Sequence, residues 1–385
     1  MNKVIIIGSG NNYNELGLVR NLGANGYRPY GILFCKENIW KHEWVHRSKY
    51  WMKCDRVDTP DEAIELLIKK YAKEKEKPII ITPVDYIVQK LDSRFNELSE
   101  YFIIQSFNKK QDEINHYASK LEQYKLTKNM GFDMLDTYLI DLYSVDKAFF
   151  YPKLPLILKP VKGGEGRKDD ITVCRTIEDF DNAIENFYNN KYLRVLCQSY
   201  LEDRKEILTY GAINKDKKLC SFVVLENIRQ WPNGYGVGCF AKTIDDQKII
   251  SFTEDLYNTL MKQGYDGPID LELFVDNSDG SIYVNEYNWR PGGRNFTSID
   301  LDTNFLVLWC LAKSNEDISA YRQVNNRMIY SINEIADFKH VKSHNISFFE
   351  WLSSFVKSKA YAAWNKKDIK PAIMLYLSQV KTIFK

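Results

Sequence analysis

Two glutamates and an asparagine in the last third of the chain are spaced to hold a hard cation. The stretch Asp270-Leu271-Glu272-Leu273-Phe274-Val275-Asp276-Asn277-Ser278-Asp279-Gly280-Ser281-Ile282-Tyr283-Val284-Asn285-Glu286-Tyr287-Asn288-Trp289-Arg290 reads as two strands flanking a turn. A three-residue loop over 278–280, with Gly280 left-handed, predicts that Asn277 pairs with Ser281 and Glu272 with Glu286. Positions directly opposite lie about 5 Å apart, where like charges repel, so the pairing calls for a divalent cation. Asn288 adds a neutral oxygen on the same face, and Mg²⁺ (or Mn²⁺) takes such a small set of oxygens, completed by phosphate and water. Arg290 returns to that face if the strand continues, ready to meet phosphate. Read alone, the stretch also fits two glutamates on the solvated face of an ordinary hairpin.

A second constellation is Leu156-Ile157-Leu158-Lys159-Pro160-Val161-Lys162-Gly163-Gly164-Glu165-Gly166. A lysine ending an apolar strand is costly to bury unless it meets an anion. Gly163, Gly164 and Gly166 let backbone amides approach phosphates closely, although a plain hairpin tip would look the same. No Gly-Lys-Ser/Thr opens a helix here, so this is not a Walker A loop. Gly8-Ser9-Gly10 lacks the third glycine of a dinucleotide fingerprint, which argues against a nicotinamide cofactor. His42-Glu43-Trp44-Val45-His46 matches the helix-borne zinc pattern His-Glu-x-x-His, with Glu65 as a conceivable third ligand. Its helix would be short and set among tryptophans and lysines, so a zinc peptidase is disfavoured.

These groups need a scaffold large enough to carry them. The 385 residues, 44% apolar and 27% charged, describe a globular chain and exclude disordered, collagenous and membrane-spanning classes. The start at 1–8 reads as a buried strand and not as a secretory signal, so the expected location is cytoplasmic. Seven scattered cysteines without a Cys-x-x-Cys pair argue against a disulfide framework or a cysteine zinc site. The net charge is only +2, but residues 339–385 hold nine lysines against Glu350 and Asp368. Residues 36–56 mix six basic residues with three tryptophans.

The first 115 residues alternate strands (4–7, 29–34, 79–82) with helices, the pattern of a small α/β domain with a parallel sheet. Thr59, Pro60 and Glu62 mark one helix start; a further helix runs through Ile87, Leu91 and Phe95. A helix over 120–130 ends at Gly131, strands of antiparallel sheets dominate to about 293, and the remainder is mainly helical, with Trp351, Leu352 and Phe355 on one apolar face.

The cation hairpin and the lysine and glycine loop occur in an order that resembles the ATP-grasp superfamily of carboxylate-amine ligases, over roughly residues 1–310. The resemblance implies an α/β and α+β ATP-grasp fold with an N-terminal Rossmann-like domain (1–115) and an ATP-grasp domain (116–312). The latter would carry a mobile lid at about 150–198 and a metal-binding sheet at about 205–293, with a basic helical region (313–385) following. Lys120 looks like the family's first phosphate-binding lysine, Lys159 like the second, and Gly163, Gly164 and Gly166 like the loop over the triphosphate. Val195-Leu196-Cys197-Gln198-Ser199-Tyr200-Leu201 is similar to the adenine-contacting linker, through Gln198 and the Leu201 backbone, with Glu206 as partner of the ribose hydroxyls. Glu272, Glu286 and Asn288 match the metal ligands. Arg290 and Arg229 match arginines near the acyl phosphate, and Trp289 stands where proline is common. Leu16-Gly17-Leu18-Val19-Arg20-Asn21-Leu22-Gly23 and Asp368-Ile369-Lys370-Pro371 look like the D-aspartate ligase and carbamoyl-phosphate-synthetase-like branch.

The resemblance implies an enzyme using ATP and Mg²⁺. Transfer of the γ-phosphoryl group to a carboxylate would give an acylphosphate, which an amine attacks, releasing ADP and phosphate in all. Lys120, Lys159 and Arg290 would stabilise the transfer, and Arg229 with Arg290 the tetrahedral charge. A carbamoyl- or acyl-phosphate product, or a non-catalytic ATP-binding module, are the alternatives. The expected partners are small carboxylates and amines, met at the cleft beside the N-terminal domain, with Arg20 and Asp85 as contacts. The basic segments point to an anionic envelope glycan or lipid-linked acceptor at the inner face of the membrane. A homodimer is the default, and nothing points to nucleic acid.

Overall fold

In a computed structural model of the protein, residues 2–35, 43–161, 171–233, 236–321, 323–325 and 327–383 are described. The chain divides into two compact units, one of residues 1–114, 208–270 and 288–385, the other of 115–207 and 271–287. Both are discontinuous in sequence, where consecutive domains were expected. The loop glycines Gly163, Gly164 and Gly166, and His42 of the zinc pattern, lie outside the described residues.

The larger unit opens with a parallel sheet in the order Lys53–Val57, Tyr30–Phe34, Val4–Ser9, Ile79–Ile81. Its central strand is covered on both faces and so reads as an unbroken apolar run, Val4 to Ile7 being at most 2% exposed. Helix Pro60–Tyr71 starts as its sequence predicts, with the Glu62 N–H donating to Thr59 Oγ1 and Pro60 in the first turn. The helix expected through Phe95 breaks at Arg94 into Asp85–Ser93 and Phe95–Leu98, and the Arg94 side chain turns to Glu97 and Glu65. Leu219–Trp231, Val237–Thr243, Tyr330–Ile332 and Ala360–Tyr361 follow one another in a second sheet. The unit also holds helices Gln247–Gln263, Phe305–Lys313, Glu334–Lys342, Phe348–Lys357 and Lys370–Ile383. None of the described helices is long and apolar enough to cross a membrane.

Glu15, on helix Tyr13–Ala24, is fully buried, its Oε1 accepting the Ser9 N–H at 2.8 Å and the Ser9 hydroxyl at 3.2 Å. Burial pushes its carboxyl up to about 7, with the Ser9 bonds pulling part of the way back. The native state therefore holds this proton to higher pH than the unfolded chain does. Stability from the group is present below the ordinary value of 4.5 and is lost as pH rises through about 7. Urea unfolding of the wild type should show a loss of about 3 kcal/mol over that window, absent in Glu15→Gln. Parallel pH profiles for the two proteins would contradict this.

The smaller unit holds a four-stranded antiparallel sheet in the order Thr137–Asp141, Arg194–Ser199, Leu156–Pro160, Thr172–Cys174. Helix Ile177–Asn189 begins at a capping box of Thr176 and Asp179 and buries Phe180, Ala183, Ile184 and Phe187. These join Leu156, Leu158, Val195 and Cys197 in one core. Helix Lys120–Asn129 and the turn end of the 265–288 hairpin complete the unit.

Candidate active site

The hairpin strands run Tyr265–Asp276 and Ile282–Asn288. The Asp276 N–H donates to the Ser281 carbonyl at 2.9 Å, so the connection is the four residues 277–280 and not three. Gly280 takes the expected left-handed conformation, φ 72°. This register sets Asn285, rather than Glu286, opposite Glu272, and Asn285 Nδ2 donates to Glu272 Oε2 at 3.1 Å. Burial then changes phase: Ile282 and Val284 are buried, Asn285 and Glu286 both half-buried, and Tyr287 buried again. Regular alternation therefore breaks between Val284 and Tyr287. Glu286 nonetheless acts on Glu272, as the charge that most raises its carboxyl. Asn288, the third expected ligand, belongs to the larger unit.

Helix Lys120–Asn129 is pinned to the same strand. Gln123 Nε2 donates to the Tyr287 carbonyl at 2.9 Å, its Oε1 accepts the Tyr287 N–H at 3.1 Å, and the Thr127 and Tyr287 hydroxyls lie 2.9 Å apart. Positions 120, 123 and 127 share one helix face. Lys120 is thereby delivered to Glu286, Nζ to Oε1 3.2 Å. Glu286 holds its ammonium pKa above the usual lysine value, against burial and with help from Glu272.

Lys159 stands on strand Leu156–Pro160, whose Ile157 pairs with Gln198. Side chains two apart share a face, so Lys159 meets Gln198, Nζ to Oε1 2.8 Å, while Gln198 Nε2 donates to Thr137 Oγ1 at 3.0 Å. Gln198, expected against adenine, is 3% exposed and has its amide committed to these two partners. Burial first, and then Lys120, push the Lys159 ammonium down to about 7, with Glu286 and Glu272 opposing. Arg204, stacked on Tyr200 and Phe274, donates to the Leu201 carbonyl and to Glu206 Oε1, the latter at 3.3 Å. Burial, followed by Glu286, raises the Glu272 carboxyl; Lys120 opposes this and Glu206 adds to it.

Three carboxylates and two ammonium groups thus interact in a desolvated patch. Carboxylates crowded together suit a divalent cation, and lysines brought beside them suit phosphate. Within the smaller unit, Glu272 and Glu286 are the residues that would hold Mg²⁺, and Lys120 and Lys159 those that would hold the phosphates.

In the larger unit the strand ends at Asn288, where it had been drawn on to Arg290. Arg290 Nε donates to Asp85 Oδ1 at 3.0 Å and Nη2 to Asn288 Oδ1 at 3.3 Å, and Nη1 lies 3.5 Å from Asp270 Oδ2. Neither a family profile nor a characterised protein matches the sequence. Solved structures do. The N5-carboxyaminoimidazole synthetase of Staphylococcus aureus complexed with ADP superposes with a TM-score of 0.66 at 16% identity, over 91% of this chain and 87% of that one. The biotin carboxylase domain of the Hydrogenobacter thermophilus 2-oxoglutarate carboxylase gives 0.66 at 14% identity, over 86% and 74%. This chain has the ATP-grasp fold. An L-amino acid ligase from Bacillus licheniformis gives 0.60 at 13% identity, over 86% and 79%.

Within this fold several expected site residues have other occupations. Arg229 is bound through Nε and Nη2 to the buried Asp337, at 2.9 and 2.7 Å, and to Ser354 Oγ at 2.9 Å. Irregular pairing at 227–230 accompanies that turn toward helix Glu334–Lys342, and it leaves Arg229 a structural ion pair. Cys239, Asp337 and His340 bring potential ligand atoms within 4.8 Å, but the Asp337 carboxylate is already committed to Arg229. Arg20 is 1% exposed and bound to Asp368, so it does not reach a substrate. His46 lies on a single 3-10 turn, Val45–Arg47, and Glu43 is buried against Arg56; Glu65 pairs with Arg94. That arrangement is not a helical zinc site. Sequence reasoning missed Asn285, Arg204 and Asp270. Asn285 is one residue from Glu286, so parity placed it off the face, whereas Arg204, two residues before Glu206, shares its face and could have been found by the same counting.

Proposed function

We propose that the protein is an ATP-dependent, ADP-forming ligase that joins a small carboxylate to an amine through an acylphosphate. The observation that supports this best is the half-buried cluster of Lys120, Lys159, Glu272 and Glu286, a donor array with separate places for a cation and for phosphate. The similar structures are a synthetase bound to ADP, a carboxylase domain and an amino acid ligase, which favours carbon–nitrogen or carboxyl chemistry on this fold.

The bound Mg²⁺ would neutralise charge on the phosphates. Lys120, oriented by Glu286, and Lys159, oriented by Gln198, would bind the phosphate oxygens through fixed ammonium groups that need no reorganisation when charge moves. Glu206, held by Arg204, is positioned for the ribose hydroxyls. Arg290 is assigned to charge that develops on the substrate carboxylate during transfer. Arg229 and Arg20 are not assigned catalytic roles.

The test is phosphate and ADP release by the purified protein with Mg-ATP against a panel of carboxylates and amines, including D- and L-amino acids and uronic acids. The expected result is turnover that requires one acid together with one amine. Release with an acid alone would point to an acyl-phosphate product, and nucleotide binding without release to a non-catalytic module; no nucleotide binding at all would end the reading.

A further inference from the structure

Helix Phe348–Lys357 leaves much of its apolar surface uncovered. Its Ser347–Glu350 capping box fixes the first turn, yet the side chain it buries deepest is Ser354, 7% exposed, whose hydroxyl donates to the Glu350 carbonyl and accepts from Arg229. Trp351 and Phe355 pack half-buried against Phe338 and Tyr361, but four other apolar residues point outward: Phe348 is 49% exposed, Phe349 79%, Leu352 39% and Val356 69%. At 100° per residue these four span about one quarter of the helix circumference. Helix Lys370–Ile383 repeats the feature one turn apart, with Ile373 45% and Leu377 55% exposed.

The exposed charge of this stretch is mostly of one sign, with Asp300 facing Lys366 and Lys367 from outside it. Between positions 339 and 370 seven lysines are exposed, while of the two carboxylates there Asp368 is buried and only Glu350 is exposed. Exposed aromatic and aliphatic side chains beside a lysine field are the two requirements for seating on an anionic bilayer, apolar insertion and attraction to headgroups. A second copy docked by two-fold symmetry would set the same lysines against themselves, which disfavours self-association as the occupant. We propose that this segment of the larger unit is a docking surface for an anionic membrane. The inference is independent of the ligase reading.

Flotation of the full chain with vesicles of phosphatidylcholine alone, or mixed with phosphatidylglycerol, tests it. The protein should float with the mixed vesicles at low salt, stay behind with the neutral ones, and be released by high salt. Phe349→Ser with Val356→Ser, and separately Lys366→Glu with Lys367→Glu, change only exposed side chains. Each pair should lower partitioning by on the order of ten-fold without shifting the melting temperature. Failure of the wild type to float with mixed vesicles would overturn the proposal, as would full retention by both double variants. A dimer in solution that the Phe349 and Val356 changes dissolve, with no vesicle binding, would assign the face to a second copy and overturn it too.

Discussion

Glu286→Gln should lower phosphate release on the order of 10³-fold while leaving the fold intact, the scale seen when one fixed electrostatic partner of a reacting group is removed. Glu286 orients Lys120 at 3.2 Å and is the largest charge raising the Glu272 carboxyl, so it sits where cation binding and phosphate binding are coupled. Its removal takes one partner from Lys120 but also relieves the repulsion on Glu272. The two effects oppose, and unfolding free energy should move by no more than about 1 kcal/mol. Activity and stability thus separate, as expected where like charges are held together for function. Lys159→Met should produce a similar loss of turnover. Glu206→Gln, acting on bound nucleoside before and during reaction alike, should raise the KM for ATP and spare kcat. Steady-state kinetics and thermal unfolding check all three; a Glu286→Gln protein with near wild-type kcat would remove the cation role from this hairpin.

Much of this site was legible because its residues carry their cost in the sequence. Lys159 at the end of an apolar strand, and two glutamates on facing strands, are expensive unless they bind something, and the structure places both sets in one desolvated patch. The parallel sheet was readable from its unbroken Val and Ile runs, and helix Pro60–Tyr71 from its cap. Hairpin register was not. A loop of four residues in place of three sets Asn285 opposite Glu272, and period-two counting cannot see that difference in advance. Gln198 and Arg229 illustrate a second limit. Each is a polar residue in a strand, and only the neighbouring strand or helix decides whether its hydrogen-bonding atoms face a ligand or Lys159 and Asp337. Strand Val237–Thr243 and helix Gln247–Gln263 escaped notice for a related reason, since Gly238 and Cys239 interrupt the apolar alternation and the helix is marked mainly by its Asp246 and Gly264 caps.

Asp368→Ala should destabilise the protein by about 3–5 kcal/mol, the cost of leaving a buried charge without its partner. Arg20 and Asp368 are 1% and 3% exposed, with Nε to Oδ2 at 3.0 Å and Nη2 donating to the Asp368 carbonyl at 2.8 Å. The other carboxylate lone pairs are filled by Ser48 Oγ at 2.8 Å and the Lys49 N–H at 2.9 Å. Burial lowers the arginine's pKa and Asp368 holds it up, so without the carboxylate the guanidinium has no compensating charge within bonding reach. Arg20→Met combined with Asp368→Leu removes both charges and should recover most of the loss; equilibrium urea unfolding of the single and double variants measures the difference. If Asp368→Ala costs under about 1 kcal/mol, the pair is not what ties residues 368–371 to the first helix. The two short motifs around Arg20 and Asp368, 348 positions apart, both resembled one branch of the ligases, and Arg20 had the look of a substrate contact. Their meeting in a buried ion pair gives them a common physical cause, closure of the larger unit by its own two ends, and moves the search for substrate-binding residues toward Arg290 and its neighbours Asp85 and Asp270.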